Sequence, residues 1–428
     1  MSIGPLMLDL EGLEINTAEK DMLQNPLLGG IIFFTRNYAS PQQIAELSQA
    51  VRETAGRDIL IAVDHEGGRV QRFRDGFTGV PAMASILQNA KDLSEAKASA
   101  YRWGSLIAIE VQAVGIDFSF APVLDLGDEI SRVIGDRAFS TKVGEVIELG
   151  REFIKGMNDF GMAATAKHFP GHGDTETDSH SALAMIPSDS SRLWSLELKP
   201  FQTVIDAGVD AVMVAHVHAP DYQPNASLPA TLSPFWVTDI LRKKMGFKGV
   251  VVTDAMGMGG GTRNYSDPYA LIHAINAGCD FILQNYNVKK SIDDVEDAVK
   301  RGIISEERIS DAALKMLKMK EKAGLHQQRY ISMGEARRIL GKKEFKVTAN
   351  KIASKSITLV KNDNSFLPLI VEGNEEIVVI DIYDQPNDHN ESIATKALKQ
   401  SGLRIRSLQV DESDSTMYYE SILKTIPD

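Results

Sequence analysis

Fourteen residues, Lys167-His-Phe-Pro-Gly-His-Gly-Asp-Thr-Glu-Thr-Asp-Ser-His180, carry three of the nine histidines of the chain, two aspartates, a glutamate and a lysine. Pro170, Gly171 and Gly173 forbid regular structure there, so the stretch is expected to be an extended loop. It follows directly on an apolar run, which argues against an ordinary solvated surface loop. A second candidate is Asp254, which ends the wholly apolar run Val250-Val-Val-Thr. A lone carboxylate in that position is costly to bury without a role or a partner; the plainer alternative is a helix N-cap. A third is Val63-Asp-His-Glu-Gly-Gly-Arg-Val-Gln-Arg-Phe73. Here Asp64 closes a run, the Gly67-Gly68 pair bends the chain back, and Arg69 and Arg72 follow. A carboxylate and a guanidinium on one loop can grip vicinal hydroxyls by charge-assisted hydrogen bonds, or simply pair with each other. Arg137, in Val-Ile-Gly-Asp-Arg-Ala-Phe-Ser140, lies on a further loop, with a surface arginine as the alternative. His216-Val-His218 could ligate a metal, since i and i+2 face the same way along a strand; the plainer alternative is one histidine lining the mouth and one on a loop.

These residues need a scaffold that gathers them. Short runs rich in Val, Ile and Phe recur at Pro5–Leu10, Gly30–Phe34, Ile59–Asp64, Asp117–Leu126, Ala163–Phe169, Ala211–Val217, Gly249–Asp254 and Asp280–Gln284. That is the pattern of strands buried on both faces. Between them, Gln42–Thr54, Ala96–Val114, Gly144–Phe160, Leu193–Ala207, Pro234–Met245, Pro268–Ala277 and Ser305–Ala323 carry apolar residues at three- and four-residue spacing, as amphipathic helices do. Ser140 and Ser233 are plausible helix starts, Gly278 and Gly324 plausible stops. Eight alternations point to an α/β fold of the (β/α)8 TIM-barrel class, with a doubly wound sheet as the alternative. The barrel is favoured because Asp64, Asp125, Lys167, His168, His216 and Asp254 all fall at or just past the C-terminal ends of strands, which converge on one mouth.

The sequence divides into a barrel at 1–335 and a small α/β segment at 336–428. The second part is expected to hold strands at Glu376–Tyr383 and Leu403–Val410, with helices near Glu391–Gln400 and Met417–Ile426, and it stops abruptly. At 428 residues, 43% hydrophobic and 24% charged, the chain has ordinary globular composition. Its net charge of −12 argues against nucleic acid as a partner. A single cysteine, Cys279, allows no internal disulfide. No stretch approaches the roughly 18 apolar residues of a membrane span, and no secretory signal opens the chain. A monomer in the cytoplasm, without membrane partner, is expected.

Taken together, in order and across essentially all of 1–335, these segments resemble glycoside hydrolase family 3, and within it the bacterial β-N-acetylhexosaminidases of the peptidoglycan-recycling type. The telling motif is Lys-His-Phe-Pro-Gly-His-Gly followed five residues later by Asp178-Ser-His180; Gly-Pro-Leu-Met-Leu-Asp-Leu-Glu-Gly and Gly-Gly-Ile-Ile-Phe-Phe-Thr-Arg-Asn-Tyr add to it. The resemblance implies a TIM barrel, a small carbohydrate substrate, and no cofactor or metal. It implies Asp254 as nucleophile, His180 as general acid/base with Asp178 orienting it, and Asp64, Arg72, Arg137, Lys167 and His168 as sugar ligands. Chemically this is coherent. A retaining glycosidase needs an attacking carboxylate and a second group that protonates the leaving oxygen. A histidine titrating near neutrality can give up and reclaim that proton. The glycine-rich run after Asp254, Ala255-Met-Gly-Met-Gly-Gly-Gly-Thr-Arg-Asn264, and the acidic Gly173-Asp-Thr-Glu-Thr177 depart from the family pattern, as does the tail, which resembles the start of the α/β domain of larger members. The alternatives are a β-glucosidase of the same family, against which Asp178-Ser-His180 speaks; a metal-dependent barrel hydrolase using His216 and His218; and a non-catalytic sugar-binding protein, which would have no need of Asp254, Asp178 and His180 together.

Overall fold

The computed structural model describes residues 4–57, 59–127, 133–172, 184–186, 190–223, 228–258, 265–284, 288–322, 333–357, 362–363, 376–383, 392–411 and 424. Eight strands form one parallel sheet: β1 (Leu6–Asp9), β2 (Leu28–Phe33), β3 (Leu60–Val63), β4 (Phe118–Ser119), β5 (Ala163–Phe169), β6 (Ala211–Val214), β7 (Val250–Thr253) and β8 (Ile282–Leu283). Their spatial order is β7-β6-β5-β4-β3-β2-β1-β8. A parallel bridge from Val252 to Phe281 joins the two ends and closes the barrel. All eight expected strands are present and the doubly wound alternative falls. The fourth is far shorter than the run Asp117–Leu126. Pro122 has no N–H to donate to a ladder, and pairing resumes only at a single bridge from Val123 to Lys167.

The inward faces of the strands build one apolar cluster from residues such as Met7, Ile32, Phe118, Met213, Val252 and Phe281. Ala312, Met316 and Met319 of the helix Glu306–Lys322 join that cluster. This helix covers the end at which the strands begin, because its Lys315 reaches Asp280 and its Lys322 reaches Asp210. The polar mouth is therefore left at the opposite end.

A regular device holds the closed end. Asp117, Asp210 and Asp280 stand just before β4, β6 and β8. Each accepts the N–H of a residue on the preceding strand: Ile61 at 2.7 Å, Ala164 at 3.1 Å and Val251 at 2.9 Å. Each is also paired with a cation, Arg52 for Asp117, Lys322 for Asp210, and Arg242, Arg308 and Lys315 for Asp280.

The helices wrap the sheet with apolar faces inward. In Pro41–Ala55, the Ser40 side chain accepts from the Gln43 N–H, Pro41 occupies the first turn, and Gly56 ends the helix at φ +61°. The helices Leu93–Gln112 and Val143–Asp159 approach to backbone contact. A Cβ at Gly104 would lie 2.1 Å from the Phe153 carbonyl oxygen, and one at Gly156 would lie 2.1 Å from that of Tyr101. The stretches Leu193–Glu197 and Phe235–Lys244 are π-helical. Gly278 caps its helix at φ +114°, as expected; Gly324 lies outside the described residues. Among the described residues, no helix is long and apolar enough to cross a membrane.

The chain divides into two compact units, residues 1–357 and 358–428. The helices Met333–Ile339 and Lys343–Ser356 belong to the first, where Asn89 donates to Ser356 Oγ at 2.7 Å. The second unit holds a parallel pair of strands, Glu376–Tyr383 and Arg404–Asp411, in continuous register, and the helix Ile393–Gln400. The buried Asp381 accepts from the Thr395 hydroxyl at 3.0 Å and the Ser392 N–H at 3.2 Å. The helix expected near Met417–Ile426 falls almost wholly outside the described residues.

Candidate active site

β3 runs into a tight hairpin in which His65–Gly67 pairs with Val70–Gln71. Asp64 and Glu66 are carried on this turn, and Arg72 follows it. β5 delivers Lys167 and His168 at its C-terminal end. Lys167 is buried and donates to Asp64 Oδ1 at 2.9 Å and to Glu66 Oε1 at 2.6 Å. Glu66 also receives both arms of Arg137: Nε and a terminal nitrogen, each at 2.8 Å. Arg72 meets the other oxygen of Asp64 at 3.2 Å. Both alternatives raised for the arginines are thereby resolved. Arg72 does form an internal salt bridge with Asp64, and Arg137 is held in the mouth rather than on the surface. Arg69 turns instead to Asp136, at 3.6 Å, where both side chains are largely exposed.

The lattice extends to His168. A terminal nitrogen of Arg137 lies 3.4 Å from His168 Nε2. The other ring nitrogen, Nδ1, meets Asp125 Oδ2 at 2.6 Å. Asp125, at the end of the fourth strand segment, also accepts the N–H of His168 and that of His172, the latter at 2.8 Å. One buried carboxylate thus fixes the start of the histidine-rich loop. The Lys167–His168 and Phe169–Pro170 peptide bonds are cis.

Charge matching explains how so many ions sit out of water. Burial raises the Asp64 carboxyl, but Lys167 and Arg72 outweigh it and hold the group below its ordinary value. Burial works the same way on Glu66, where Arg137 and Lys167 win more strongly. Lys167 is in turn held above its usual range by Asp64 and Glu66 despite its burial. Asp125 is held low, against burial, by His168. Removing one member would leave an uncompensated buried charge, which is where such networks are costly. His172 behaves differently: burial and the neighbouring His168 pull its imidazole down, with Asp125 and Asp254 opposing.

Asp254 follows β7, half-buried, and its Oδ1 accepts the N–H of Ala255 at 2.8 Å. Among the described residues, no helix begins between Asp254 and Asp267. Its charge is felt at His172, which brings the ends of β5 and β7 to one mouth. Asp178 and His180 lie outside the described residues. His216 is buried with both ring nitrogens engaged: Nδ1 with Thr231 Oγ1 at 2.8 Å and Nε2 with the Ala255 carbonyl oxygen at 3.0 Å. It braces the residue next to Asp254, and it offers a metal no lone pair in this arrangement. His218 pairs in a two-residue strand with Met185.

Sequence reasoning placed Asp125 at the mouth and His172 in the histidine-rich loop but gave neither a role, and it did not single out Glu66. Glu66 was detectable in principle: a lysine buried at a strand end needs more counter-charge than Asp64 alone supplies when Arg72 and Arg137 are added.

The model of the glycosyl hydrolase family 3 N-terminal domain matches residues 5–319. The chain belongs to glycoside hydrolase family 3. Its relatives include the β-hexosaminidase of Idiomarina loihiensis, 47% identical over 284 residues that make up 66% of this chain and 83% of that protein. The β-hexosaminidase of Alkalilimnicola ehrlichii is 44% identical over 286 residues, 66% of this chain and 81% of that one. Among solved structures, a family 3 β-N-acetylglucosaminidase from Paenibacillus sp. superposes with a TM-score of 0.84 at 34% identity, covering 98% of this chain and 81% of that one. NagZ from Neisseria gonorrhoeae gives 0.70 at 32% identity over 83% and 99% of the two chains. The family 3 barrel and its hydrolase class are thus those expected from the sequence.

Proposed function

We propose that this glycoside hydrolase is a retaining, exo-acting β-N-acetylglucosaminidase that removes terminal β-linked N-acetylglucosamine from peptidoglycan-derived muropeptides or chitin-type oligosaccharides. The supporting observation is the lattice of Asp64, Glu66, Arg137, Lys167 and His168, gathered from the C-terminal ends of β3 and β5 and the loop after β4, at the same mouth as Asp254 after β7. Lys167 has three N–H groups and gives two to Asp64 and Glu66, so a third remains for a sugar hydroxyl. Asp64 and Arg72 supply an acceptor and a donor beside it. A rigid, charge-balanced wall of this kind binds hydroxyls without reorganising.

In this reading Asp254 attacks the anomeric carbon and forms a glycosyl-enzyme ester. His180, oriented by Asp178, protonates the leaving oxygen and then takes a proton from the incoming water, so that one group serves as acid and then as base. The relatives named β-hexosaminidase and β-N-acetylglucosaminidase favour the N-acetyl sugar over a plain glucoside. The metal-dependent reading loses its proposed ligand pair, because both nitrogens of His216 are committed elsewhere. A monomer acting in the cytoplasm completes the proposal.

A panel of aryl β-glycosides (N-acetylglucosaminide, glucoside, xyloside), with and without phosphate and with and without EDTA, tests it. Preferential cleavage of the N-acetylglucosaminide, insensitive to EDTA, with the β-anomer released first by NMR, is the expected result. An α-product at first release overturns the covalent step, and preference for the glucoside overturns the substrate.

A further inference from the structure

We propose that the segment beyond the family 3 match is a working part of the substrate site: residues 333–356 brace, through Glu110, the loop that carries Asp64, Glu66 and Arg72. This rests on the reading above that the loop holds the sugar.

The loop from Asp64 to Val80 has little regular structure of its own and is stapled by one side chain. Gln71 is buried; its amide donates to the carbonyl oxygens of Phe73 at 3.0 Å and Thr78 at 2.9 Å, and its oxygen accepts from the Val80 N–H at 2.9 Å. The Gly68 N–H donates to the Val80 carbonyl oxygen at 2.7 Å. Thr78 is therefore tied to the base of the hairpin on which Glu66 sits.

The other face of Thr78 meets Glu110, on the helix Leu93–Gln112 and only 2% exposed. Its Oε2 accepts the Thr78 N–H at 2.9 Å and its Oε1 the Thr78 hydroxyl at 2.7 Å. Oε1 takes one more donor, the N–H of Gly341 at 2.8 Å. Gly341 links the helices Met333–Ile339 and Lys343–Ser356, outside the family match, which ends at residue 319. It stands at φ +53°, and a Cβ there would come within 2.7 Å of the Gly76 carbonyl oxygen. The segment thus touches the loop twice, through Glu110 and directly at Gly76. It is anchored on either side of that point, by Arg337 to Gln42 at 3.0 Å and by Ser356 to Asn89 at 2.7 Å.

The chemistry of Glu110 makes the coupling testable. A carboxylate presents acceptors to all three donors at once. A glutamine cannot: with its oxygen towards Gly341 its NH2 faces the Thr78 N–H, and flipped, its NH2 faces the Gly341 N–H. Glu110→Gln therefore has to release either the loop or the segment. Gly341→Ala acts from the segment side without altering the barrel. Because Asp64 and Arg72 hold the sugar in ground and transition states alike, the loss falls on KM and not on kcat.

The test uses the full chain and an aryl N-acetyl-β-D-glucosaminide. Glu110→Gln is expected to raise KM about tenfold with kcat changed by less than about twofold, and Gly341→Ala to raise it in the same sense. The double variant should fall short of the product of the two single effects, since both act through Glu110 and only the direct contact at Gly76 is left to Gly341→Ala alone. Thr78→Ser, which keeps both donors, should preserve the KM that Thr78→Val loses. If Glu110→Gln fails to fold, Gly341→Ala carries the same comparison. Folded variants with the KM of the parent chain, even with lowered thermal stability, overturn the proposal, because a merely structural contact would move stability alone. If the parent chain prefers another aryl glycoside, the substrate reading fails while the same comparison on that glycoside still decides the brace.

Discussion

Both ends of the barrel bury carboxylates beside cations, and they use them in opposite ways. At the closed end, Asp117, Asp210 and Asp280 each spend an oxygen on the N–H of a preceding strand residue and are neutralised by cations from surrounding helices. At the mouth, the bonds described to Asp64 and Glu66 all come from side chains, those of Lys167, Arg72 and Arg137. Residue type does not separate the two roles. What separates them is whether the carboxylate is satisfied by the ladder or by groups that a substrate can also reach.

That contrast can be broken experimentally. The largest effect is expected from Asp254→Ala. Turnover should fall by at least about a thousandfold, as removal of a covalent nucleophile does, while the melting temperature stays within about 2 °C; near-normal hydrolysis of the aryl substrate by this variant would sink the nucleophile assignment. Asp280→Asn is its mirror image. It should cost about 3 kcal/mol of stability, because Arg242, Arg308 and Lys315 lose their buried counter-charge, yet leave kcat/KM of the folded fraction unchanged. Denaturant titration and kinetics on one sample read both numbers.

Glu66→Gln should fall between these poles and so sharpen the comparison. It leaves Lys167 and Arg137 short of charge, so a loss of about 2 kcal/mol in stability is expected together with a several-fold rise in KM. A change in only one of the two would assign Glu66 to a single class.

The smallest expected effect concerns His65, next to Asp64. Burial, and secondarily Arg74 and Arg72, push its imidazole from 6.5 down to about 3. It stays neutral in the folded chain while the unfolded chain takes up a proton below 6.5, so the unfolded state binds more protons and stability falls as pH falls from about 6.5 towards 3. By pH 5 this amounts to about 2 kcal/mol. His65→Leu should flatten that part of the stability profile, and an unchanged slope would mean that other groups set it.

The sequence was legible where apolar periodicity alone decides. The eight short runs became the eight strands, and Asp64, Lys167, His168 and Asp254 stand at the mouth because a parallel barrel puts every strand's C-terminal end there. It was less legible where a residue's partner comes from elsewhere in the chain. Glu66 sits inside a motif that drew attention to Asp64 and Arg72. Its importance depends on Arg137, 71 positions away, and on Lys167, neither of which any local pattern connects to it. His216 shows the converse: spacing permitted a ligand pair, but Thr231 and the Ala255 carbonyl oxygen take both nitrogens, in keeping with the plainer reading of a histidine at the mouth. The acid/base dyad Asp178–His180 remains a proposal drawn from the motif.

The mutual approach of Gly104 and Gly156 carries a consequence for how this barrel tolerates change. With each glycine seated on a carbonyl of the facing helix, not even a methyl group fits without pushing the helices apart, and these helices flank the strands that deliver Asp125 and Lys167. A randomised library spanning the two helices should accept many exchanges of one apolar residue for another along the stripe, while survivors at positions 104 and 156 remain confined to a single amino acid.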